Sequence, residues 1–593
     1  MTVFDVLTMV SGLALFLYGM DVMAKGLKKS AGKRLREILA GLTSSPIKGF
    51  LLGLGVTAVI QSSSAMTVMV VGFVNSGTMT LAQAITVIMG ANVGTTVTAW
   101  LTGLSGVGGS DAVPGFISYL KPSAWMPVLA LIGMILIMFA KRERKRDIGV
   151  ILMGFAVLMV GMDVMSGAVA GLEESESFRS ILTTFENPVL GLLAGVIFTA
   201  IIQSSSGSIG ILQSLSTTGA ITYGAALPLI LGMNVGTCIT ALLSALSAGK
   251  NGKRSALVQL YFNMIGALIF LGGYFALDAI IGFAFTESSI DMWGIALIHT
   301  IFNLVSVLVL APFRGLIEKL AVISVKGDTE EADPYPAMLD ERFLDTPELA
   351  VERAHAVAHH MMELAVRASR SGIAQLTAFN EAEAESIRKI EDVIDDYEDK
   401  LGAYLIALSS RDLVEEQSGE VTKLLHLIGD FERISDHAVN LLEAAEEMRE
   451  KNVTFSEEAQ KELAVLYAAV SEILSIAETA YLQNDRHAAT HVEPLEEVVD
   501  DLKDTVRSHH IRRLQTGKCT TEHGFILSDI LTNLERVSDH CSNVAVCLLE
   551  IADHDTIGMH GYAERLKAGS KEFDEHYREY QNTYRIPETE AKA

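Results

Sequence analysis

Apolar positions in the first half of the chain come in long unbroken runs. Stretches near 3–24, 80–104, 122–140, 147–170, 221–247, 255–283 and 291–313 approach or exceed the roughly 20 residues needed to cross a bilayer as helix. Two further runs, 47–76 and 188–218, are each interrupted at their centre by one amide and three hydroxyls, Gln61-Ser62-Ser63-Ser64 and Gln203-Ser204-Ser205-Ser206. The arms on either side are too short to cross. Non-helical backbone at membrane depth is tolerated only where it is buried in protein or lines a cavity, so each run is predicted as a re-entrant hairpin. Beyond residue 350 the apolar positions recur at helical spacing within a heavily charged background, which predicts a soluble helical domain. The fold class is therefore all-α: a polytopic membrane protein with two re-entrant hairpins, followed by a soluble helical-bundle domain.

The same pattern occurs twice. "GMDVM" at 19–23 returns at 161–165, the QSSS segment of 61–64 returns at 203–206, and "GANVGTT" at 90–96 returns as "GMNVGTC" at 232–238. All three share one offset of 142 residues, the mark of a duplicated structural unit. Each unit holds one span, one hairpin and two further spans. An odd number of crossings turns the second copy upside down, giving inverted repeats whose discontinuous helices meet near the bilayer midplane, as in secondary transporters. The expected divisions are repeat 1 at 1–142, inverted repeat 2 plus an extra span at 143–320, a linker at 321–348, tandem three-helix bundles at 349–575 and a C-terminal tail at 576–593.

Charge fixes an orientation. Residues 1–320 carry 19 Lys+Arg against 15 Asp+Glu, whereas the remainder carries 27 against 56. The basic connectors "KGLKKSAGKRLRE" (25–37), "KRERKR" (141–146) and "GKNGKR" (249–254) are expected on the cytoplasmic side, and "EESESF" (173–178) and "TESSID" (286–291) outside. This places the N-terminus outside and the acidic domain in the cytoplasm, in a multi-pass protein of the cytoplasmic (inner) membrane. The first apolar run lacks a basic n-region, so it is expected to be a retained span. The four cysteines form no C-x-x-C pair and are expected as free thiols in a reducing compartment. So acidic a soluble half predicts no nucleic-acid partner.

The chemistry lies in the two interruptions. Serine favours helix N-caps, and a helix N-terminus presents free N–H groups and the positive end of the helix dipole, a ready anion site. Two such termini with six hydroxyls could surround a tetrahedral oxyanion. From 49 to 104 and from 187 to 249 no Lys, Arg, His, Asp or Glu occurs, so a multiply charged anion would require counter-charge from elsewhere. A co-bound cation supplies it: Asn92, Thr95 and Thr96, with Asn234 and Thr237, provide oxygens beside helix-loosening glycines suited to Na⁺. The plainer reading, that Ser, Thr and Asn serve as interhelical glue, does not require two copies at identical spacing. Asp21 and Asp163, near span ends, are expected as interfacial caps.

The doubled QSSS segments, each followed by G-x-N-V-G-T, together with "LFLYGMDVM", resemble the type II sodium/phosphate cotransporter family over essentially all of residues 1–315. The resemblance implies inorganic phosphate as substrate, Na⁺ as co-transported ion, and Gln61 to Ser64 with Gln203 to Ser206 at the core of the site. The family's His-x-x-Phe-Asn pattern is present at His299 to Asn303, while Gln259 stands in place of His in the related Gln259 to Asn263.

The acidic half is also duplicated. "FERISDHAVN" (431–440) matches "LERVSDHCSN" (534–543) at offset 103, and "IEDVIDDYEDKL" (390–401) matches "LEEVVDDLKDTV" (495–506) at offset 105. Each segment carries Glu-x-x-x-Asp: Glu391/Asp395, Glu432/Asp436, Glu496/Asp500 and Glu535/Asp539. Carboxylates at i and i+4 share a helix face and repel unless a cation lies between them; with His437 and His540 adjacent, either a carboxylate and imidazole metal site or a solvated acidic face would satisfy the spacing. These motifs resemble the PhoU family of phosphate-signalling regulators over about 345–555. That resemblance implies a divalent or iron-type metal at the motifs and a regulatory role, with phosphate-signalling proteins as partners; a homo-oligomer is compatible with it. Three readings compete: Na⁺-driven phosphate import, phosphate export by the same machinery, and a membrane-anchored phosphate sensor that does not transport. No G-x-x-x-x-G-K-[ST] loop and no recognisable Ser/His/carboxylate set occurs, so an enzyme is not expected.

Overall fold

The computed structural model describes residues 3–40, 45–104, 122–170, 184–327, 334–411, 413–553 and 571–586. Among them there is no strand, only an isolated bridge between Thr222 and Ser289. The chain divides into two compact units, Met1–Ala337 and Met338–Ala593.

The first unit is built from α1 (Val3–Ala40), α2 (Pro46–Ile60), α3 (Ser63–Asn75), α4 (Leu81–Gly103), α5 (Pro122–Phe139), α6 (Glu143–Val169), α7 (Pro188–Ile202), α8 (Ser205–Ser216), α9 (Tyr223–Gly236), α10 (Cys238–Ser244), α11 (Lys250–Ile281), α12 (Met292–Leu310) and α13 (Arg314–Ser324). The offset of 142 is reproduced in the element boundaries. α2 and α7 start and stop at equivalent residues, α3 and α8 start at equivalent serines, and Thr80 and its counterpart Thr222 both cap the next helix.

Glycine sets how closely the equivalent helices approach. α1 and α6 pack antiparallel: a Cβ on Gly19 would fall 2.2 Å from Leu158 N, and one on Gly154 would fall 2.4 Å from Met23 N. The α2–α4 and α7–α9 pairs repeat each other in the same way. A Cβ on Gly53 would sit 2.0 Å from Val87 O, and one on the equivalent Gly195 would sit 2.3 Å from Leu229 O. Backbones this close are held by packing of small residues, the usual device where lipid removes any hydrophobic drive between helices.

The repeats interlock through their second arms. From α8, Gln213 accepts from Thr102 of α4 at 2.5 Å and donates to Ala99 O and Met292 O at 2.9 and 3.0 Å. On the other side, Val71 of α3 is buried with Ala241 of α10 and with Ala245, Ala248 and Ala256, and Asn75 accepts from Gly249 N at 2.8 Å. The apolar surface faces outward: Leu131, Met138, Ile201, Ile280 and Leu308 are all exposed, as lipid-facing positions must be.

Among the described residues six helices of this unit are long and apolar enough to cross a membrane, and Trp125–Phe139 is a shorter apolar helix. Two sequence expectations are revised. The first helix continues through the basic segment to Ala40 instead of ending near residue 24. The last span leads through a 3₁₀ turn at Ala311–Phe313 into α13, just beyond which Val325 O and Gly327 O accept from Arg254 of α11. The outer connector 173–178 lies outside the described residues.

The second unit comprises α14 (Pro347–Gln375), α15 (Glu381–Ser409), α16 (Glu415–Glu450), α17 (Glu457–Gln483), α18 (Val492–Gln515), α19 (Thr521–Asp553) and α20 (Lys571–Thr583). The first three helices and the next three form the two bundles. α17 meets the length and hydropathy of a membrane span, yet its Leu463, Leu466, Val470, Ile473 and Leu474 are buried in the bundle and Glu462 binds Arg513 through both carboxylate oxygens at 2.9 and 2.8 Å. It is a bundle helix. Part of the expected linker is ordered, with helical turns at Pro334–Met338 and Glu341–Phe343. Part of the expected tail is helical too: α20 docks on the second bundle through Tyr577 to Asp501 and a His491–His576 ring stack of 3.8 Å.

Candidate functional site

Both QSSS segments are helix breaks with the same backbone. Gln61 and Gln203 end α2 and α7 in the left-handed conformation, each at φ 57°, and their N–H groups bond to Thr57 O and Thr199 O at 2.8 and 2.7 Å. A non-glycine residue here costs local strain that the surrounding packing must hold. Ser62 and Ser204 then cap the following helices, their hydroxyl oxygens accepting from Ala65 N and Gly207 N at 3.1 Å each. The serines therefore stand where the sequence expected them, at the positive ends of α3 and α8. Ser63 and Ser205 are buried, and Ser64 and Ser206 partly so.

The side chains around the two breaks differ. Gln61 is buried; its amide donates to Ala58 O, and its oxygen accepts from Thr98 Oγ1 at 2.8 Å. Gln203 is exposed, and Thr240, the counterpart of Thr98, bonds instead to Thr237 O at 2.9 Å. Thr57 and Thr199, one turn before each break, are buried with hydroxyls that have no hydrogen-bond partner. Sequence reading missed Thr57, Thr98 and Thr199, although their 142-residue pairing, 57 with 199 and 98 with 240, could have singled them out.

The G-x-N-V-G-T segments correct one expectation. α4 runs unbroken through Asn92, Thr95 and Thr96, so its carbonyls remain in the helix ladder. Gly94 serves close contact, its Cβ position lying 2.7 Å from Leu54 O, and does not loosen the helix. Thr95 and Thr96 bond back to Ala91 O and Val93 O at 3.1 and 2.7 Å, and Thr237 to Met233 O at 2.9 Å. Only the second copy is interrupted, at Thr237 between α9 and α10. Asn92 is buried with an unpartnered Nδ2. Its equivalent, Asn234, is held by α12: His299 Nε2 lies 3.1 Å from Asn234 Oδ1, and Asn303 Nδ2 lies 3.5 Å from it. Thus the His-x-x-Phe-Asn segment reaches the second repeat's asparagine. Buried Asn263 and Gln259 of α11 and Asn303 of α12 also carry unpaired acceptors, which native proteins usually satisfy with water or ions.

In the second unit His437 and His540 each hydrogen-bond across to the other bundle. His437 Nδ1 bonds to Asn533 Oδ1 at 2.8 Å, and His540 Nδ1 to Asp430 Oδ1 at 2.8 Å, while the two rings stack 5.6 Å apart. Asp430 and Asn533 are equivalent at offset 103, so these bonds form a pseudo-symmetric clasp between α16 and α19. Burial holds the His437 imidazole below its ordinary pKa. Among the described residues no three His, Cys, Asp or Glu side chains are gathered as a metal site. In the first bundle, burial and then the Asp436 carboxylate push Glu391 up, and burial followed by Asp436 pushes Glu432 up to about 7. Asp395 adds its charge to the same face. In the second bundle Lys503 Nζ lies 2.6 Å from Glu535 and 3.2 Å from Asp500, and Arg536 lies 3.5 Å from Asp539. Glu496 is buried. Asp539 is still pushed up by burial and then by Glu535 and Asp500, so Lys503 and Arg536 offset part of the charge on this face.

Taken together, the first unit is a multi-pass helical membrane protein of transporter design, and the second is a PhoU-like soluble domain. The Na+/Pi-cotransporter family model matches residues 15–167 and 170–294, and the PhoU domain model matches 353–445 and 463–548. YqeW of Bacillus subtilis, itself uncharacterized, is 33% identical over 306 residues, covering 51% of this chain and 93% of its own length. The chain belongs to the Na+/Pi-cotransporter family and carries PhoU domains. YjbB of Salmonella typhimurium strain LT2, whose name assigns it provisionally to inorganic phosphate export, is 26% identical over 557 residues, 93% of this chain and 98% of the relative. The human sodium-dependent phosphate transport protein 2B is 34% identical over 131 residues, 21% and 19% of the two chains. PhoU from Streptococcus pneumoniae aligns over 36% of this chain and all of its own at 15% identity, with a TM-score of 0.32.

Proposed function

We propose that the chain is a sodium-coupled transporter of inorganic phosphate whose two QSSS breaks, as re-entrant tips, hold the anion, with its PhoU-like unit regulating transport from the cytoplasm. The observation that carries this reading is the pair of serine-capped helix starts at Ser62 and Ser204, identical in backbone and 142 residues apart. Capped N-termini and the hydroxyls of Ser63, Ser64, Ser205 and Ser206 provide donors for a tetrahedral oxyanion. Asn92, Asn234 and the unpaired threonine hydroxyls provide neutral oxygens for Na⁺. The N-terminus lies outside, and a divalent or iron-type metal, where the soluble unit holds one, belongs to Glu391, Asp395, Glu432 and Asp436.

Labelled phosphate flux in proteoliposomes, driven by a Na⁺ or a K⁺ gradient, tests this. Flux that requires Na⁺ and collapses in both Ser63→Ala and Ser205→Ala supports it. Binding of phosphate without flux would instead make the protein a sensor. Outward flux in the cell is the second reading, supported by the relative named for export that matches across both units. Phosphate retained by expressing cells distinguishes it: export lowers the internal pool and import raises it.

A further inference from the structure

The two bundles of the soluble unit present the same acidic motifs but differ in one cation beside them. At the offset of 105 that aligns Glu391/Asp395 with Glu496/Asp500, Lys503 stands where the first bundle has Glu398. This is a reversal of charge at one helix position, one turn after the motif aspartate. Lys503 is 8% exposed. Its ammonium reaches Glu535 Oε1 on α19 at 2.6 Å and Asp500 Oδ1 on its own helix at 3.2 Å, so one cation bridges the two motifs from neighbouring helices. Arg536, at 3.5 Å from Asp539, adds a second. In the first bundle no lysine bridges the motifs: Glu398 and Asp436 both press on Glu432, offset in part by Arg433, the counterpart of Arg536, and Arg388 is bonded to Glu446 at 2.6 Å.

We propose that Lys503 is the resident counter-ion of the second motif pair, taking the place a metal would have, so that the second bundle is complete without metal. A divalent cation binds carboxylate oxygens at about 2.0–2.6 Å, which would bring it close to an ammonium already bonded to the same groups. Like charges at such separations repel, and the Lys503 ammonium is shielded from water more than the carboxylates it bridges. A tethered lysine also needs no ordering of a free ion, whereas its removal leaves the partly exposed Glu535 and Asp500 without their shared counter-charge. The proposal goes beyond the transport reading and is independent of it, because it concerns only which cation neutralises this face.

The test uses the full-length protein in detergent, stripped with a chelator and titrated with Mn²⁺, reading bound equivalents and thermal unfolding. Wild type is expected to keep its Mn²⁺ stoichiometry when Asp500→Asn and Glu535→Gln are introduced. Lys503→Met is expected to lower the midpoint of the soluble unit by about 2–4 °C and to recover it on addition of Mn²⁺. Lys503→Glu, which copies the first bundle, is expected to bind one further equivalent. Loss of an equivalent in Asp500→Asn or Glu535→Gln would overturn the proposal, as would a Lys503→Met protein with wild-type stability and wild-type Mn²⁺ binding. Should Lys503→Met fail to fold, Lys503→Arg, which keeps the charge, must fold without Mn²⁺, and the two carboxylate variants decide the stoichiometry.

Discussion

The two QSSS breaks share a backbone and a helix packing and differ in what holds their glutamines and asparagines. Both glutamines adopt the left-handed turn, and both following serines cap a helix. Yet Gln61 is clamped from both ends by Ala58 O and Thr98, while Gln203 is exposed and Thr240 has turned to its own helix. The asparagines diverge in the opposite sense. Asn234 is engaged by His299 and Asn303 from α12, a helix that lies outside the duplication, whereas Asn92 keeps an unpartnered Nδ2. Duplication thus supplied two frames, and the added helix made them unequal. An anion and a cation need different surroundings, and one frame built twice without change could not offer both.

The largest expected effect tests what the frames share. Gly53→Ala and Gly195→Ala each put a Cβ against a carbonyl oxygen at 2.0 and 2.3 Å, so both should abolish most folded protein, read as the monodisperse yield in detergent. Gly55→Ala, with open space around it, should behave as wild type. If only one of the first two fails, the frames are not equivalent.

Next comes the difference at the glutamines. Thr98→Val removes the donor to a buried amide oxygen and should lower Na⁺-driven phosphate flux about 10-fold, the equivalent of about 1.4 kcal/mol. Thr240→Val should change it less than about 2-fold. Equal losses would show that Gln203 becomes clamped during transport as Gln61 already is.

A smaller effect is expected at α12. His299→Leu frees Asn234 and should raise the Na⁺ concentration for half-maximal flux several-fold with the maximal rate less affected, and His299→Gln should restore it in part. An unchanged Na⁺ dependence would remove Asn234 from the ion path.

The smallest concerns the soluble unit, where the first bundle lacks the second's lysine. Burial and Asp436 raise Glu432 to about 7 from an ordinary 4.5. Its protonated form is favoured by folding, so its contribution is complete below pH 4.5 and is lost as pH rises through about 7. Glu432→Gln should therefore raise the midpoint of the soluble unit by ~2–4 °C at pH 8 and leave it unchanged at pH 4. The Glu535→Gln variant should instead lose stability at pH 8, because it deprives Lys503 of a partner.

Much of this was legible in the chain. Polar residues set into apolar runs mark their own places, because lipid forbids an unsatisfied backbone, and Ser62 and Ser204 could be assigned as caps from that fact and the repeat alone. Glycines were misjudged at Gly94, where conformational freedom was expected and close approach was found. A glycine in a sequence does not show whether its missing side chain serves a bend or a neighbour. For His437 and His540 the spacing left a metal site and a solvated face equally open, and the structure shows each bonded across to the other bundle. α17 carries the hydropathy of a span and lies in a bundle, since apolar residues bury equally well against lipid or protein.

The sequence by itself determined the helical class, the two kinds of unit, the duplication of each and the location of both breaks, because periodicity and the cost of unpaired polar groups act locally along the chain. Only the tertiary structure decided that Thr98 holds Gln61, that α12 reaches Asn234, and that Lys503 bridges two motifs which Glu398 would leave repelling. Those outcomes depend on which face of one helix meets another 30 to 70 residues away, and spacing along a single helix carries no information about that meeting.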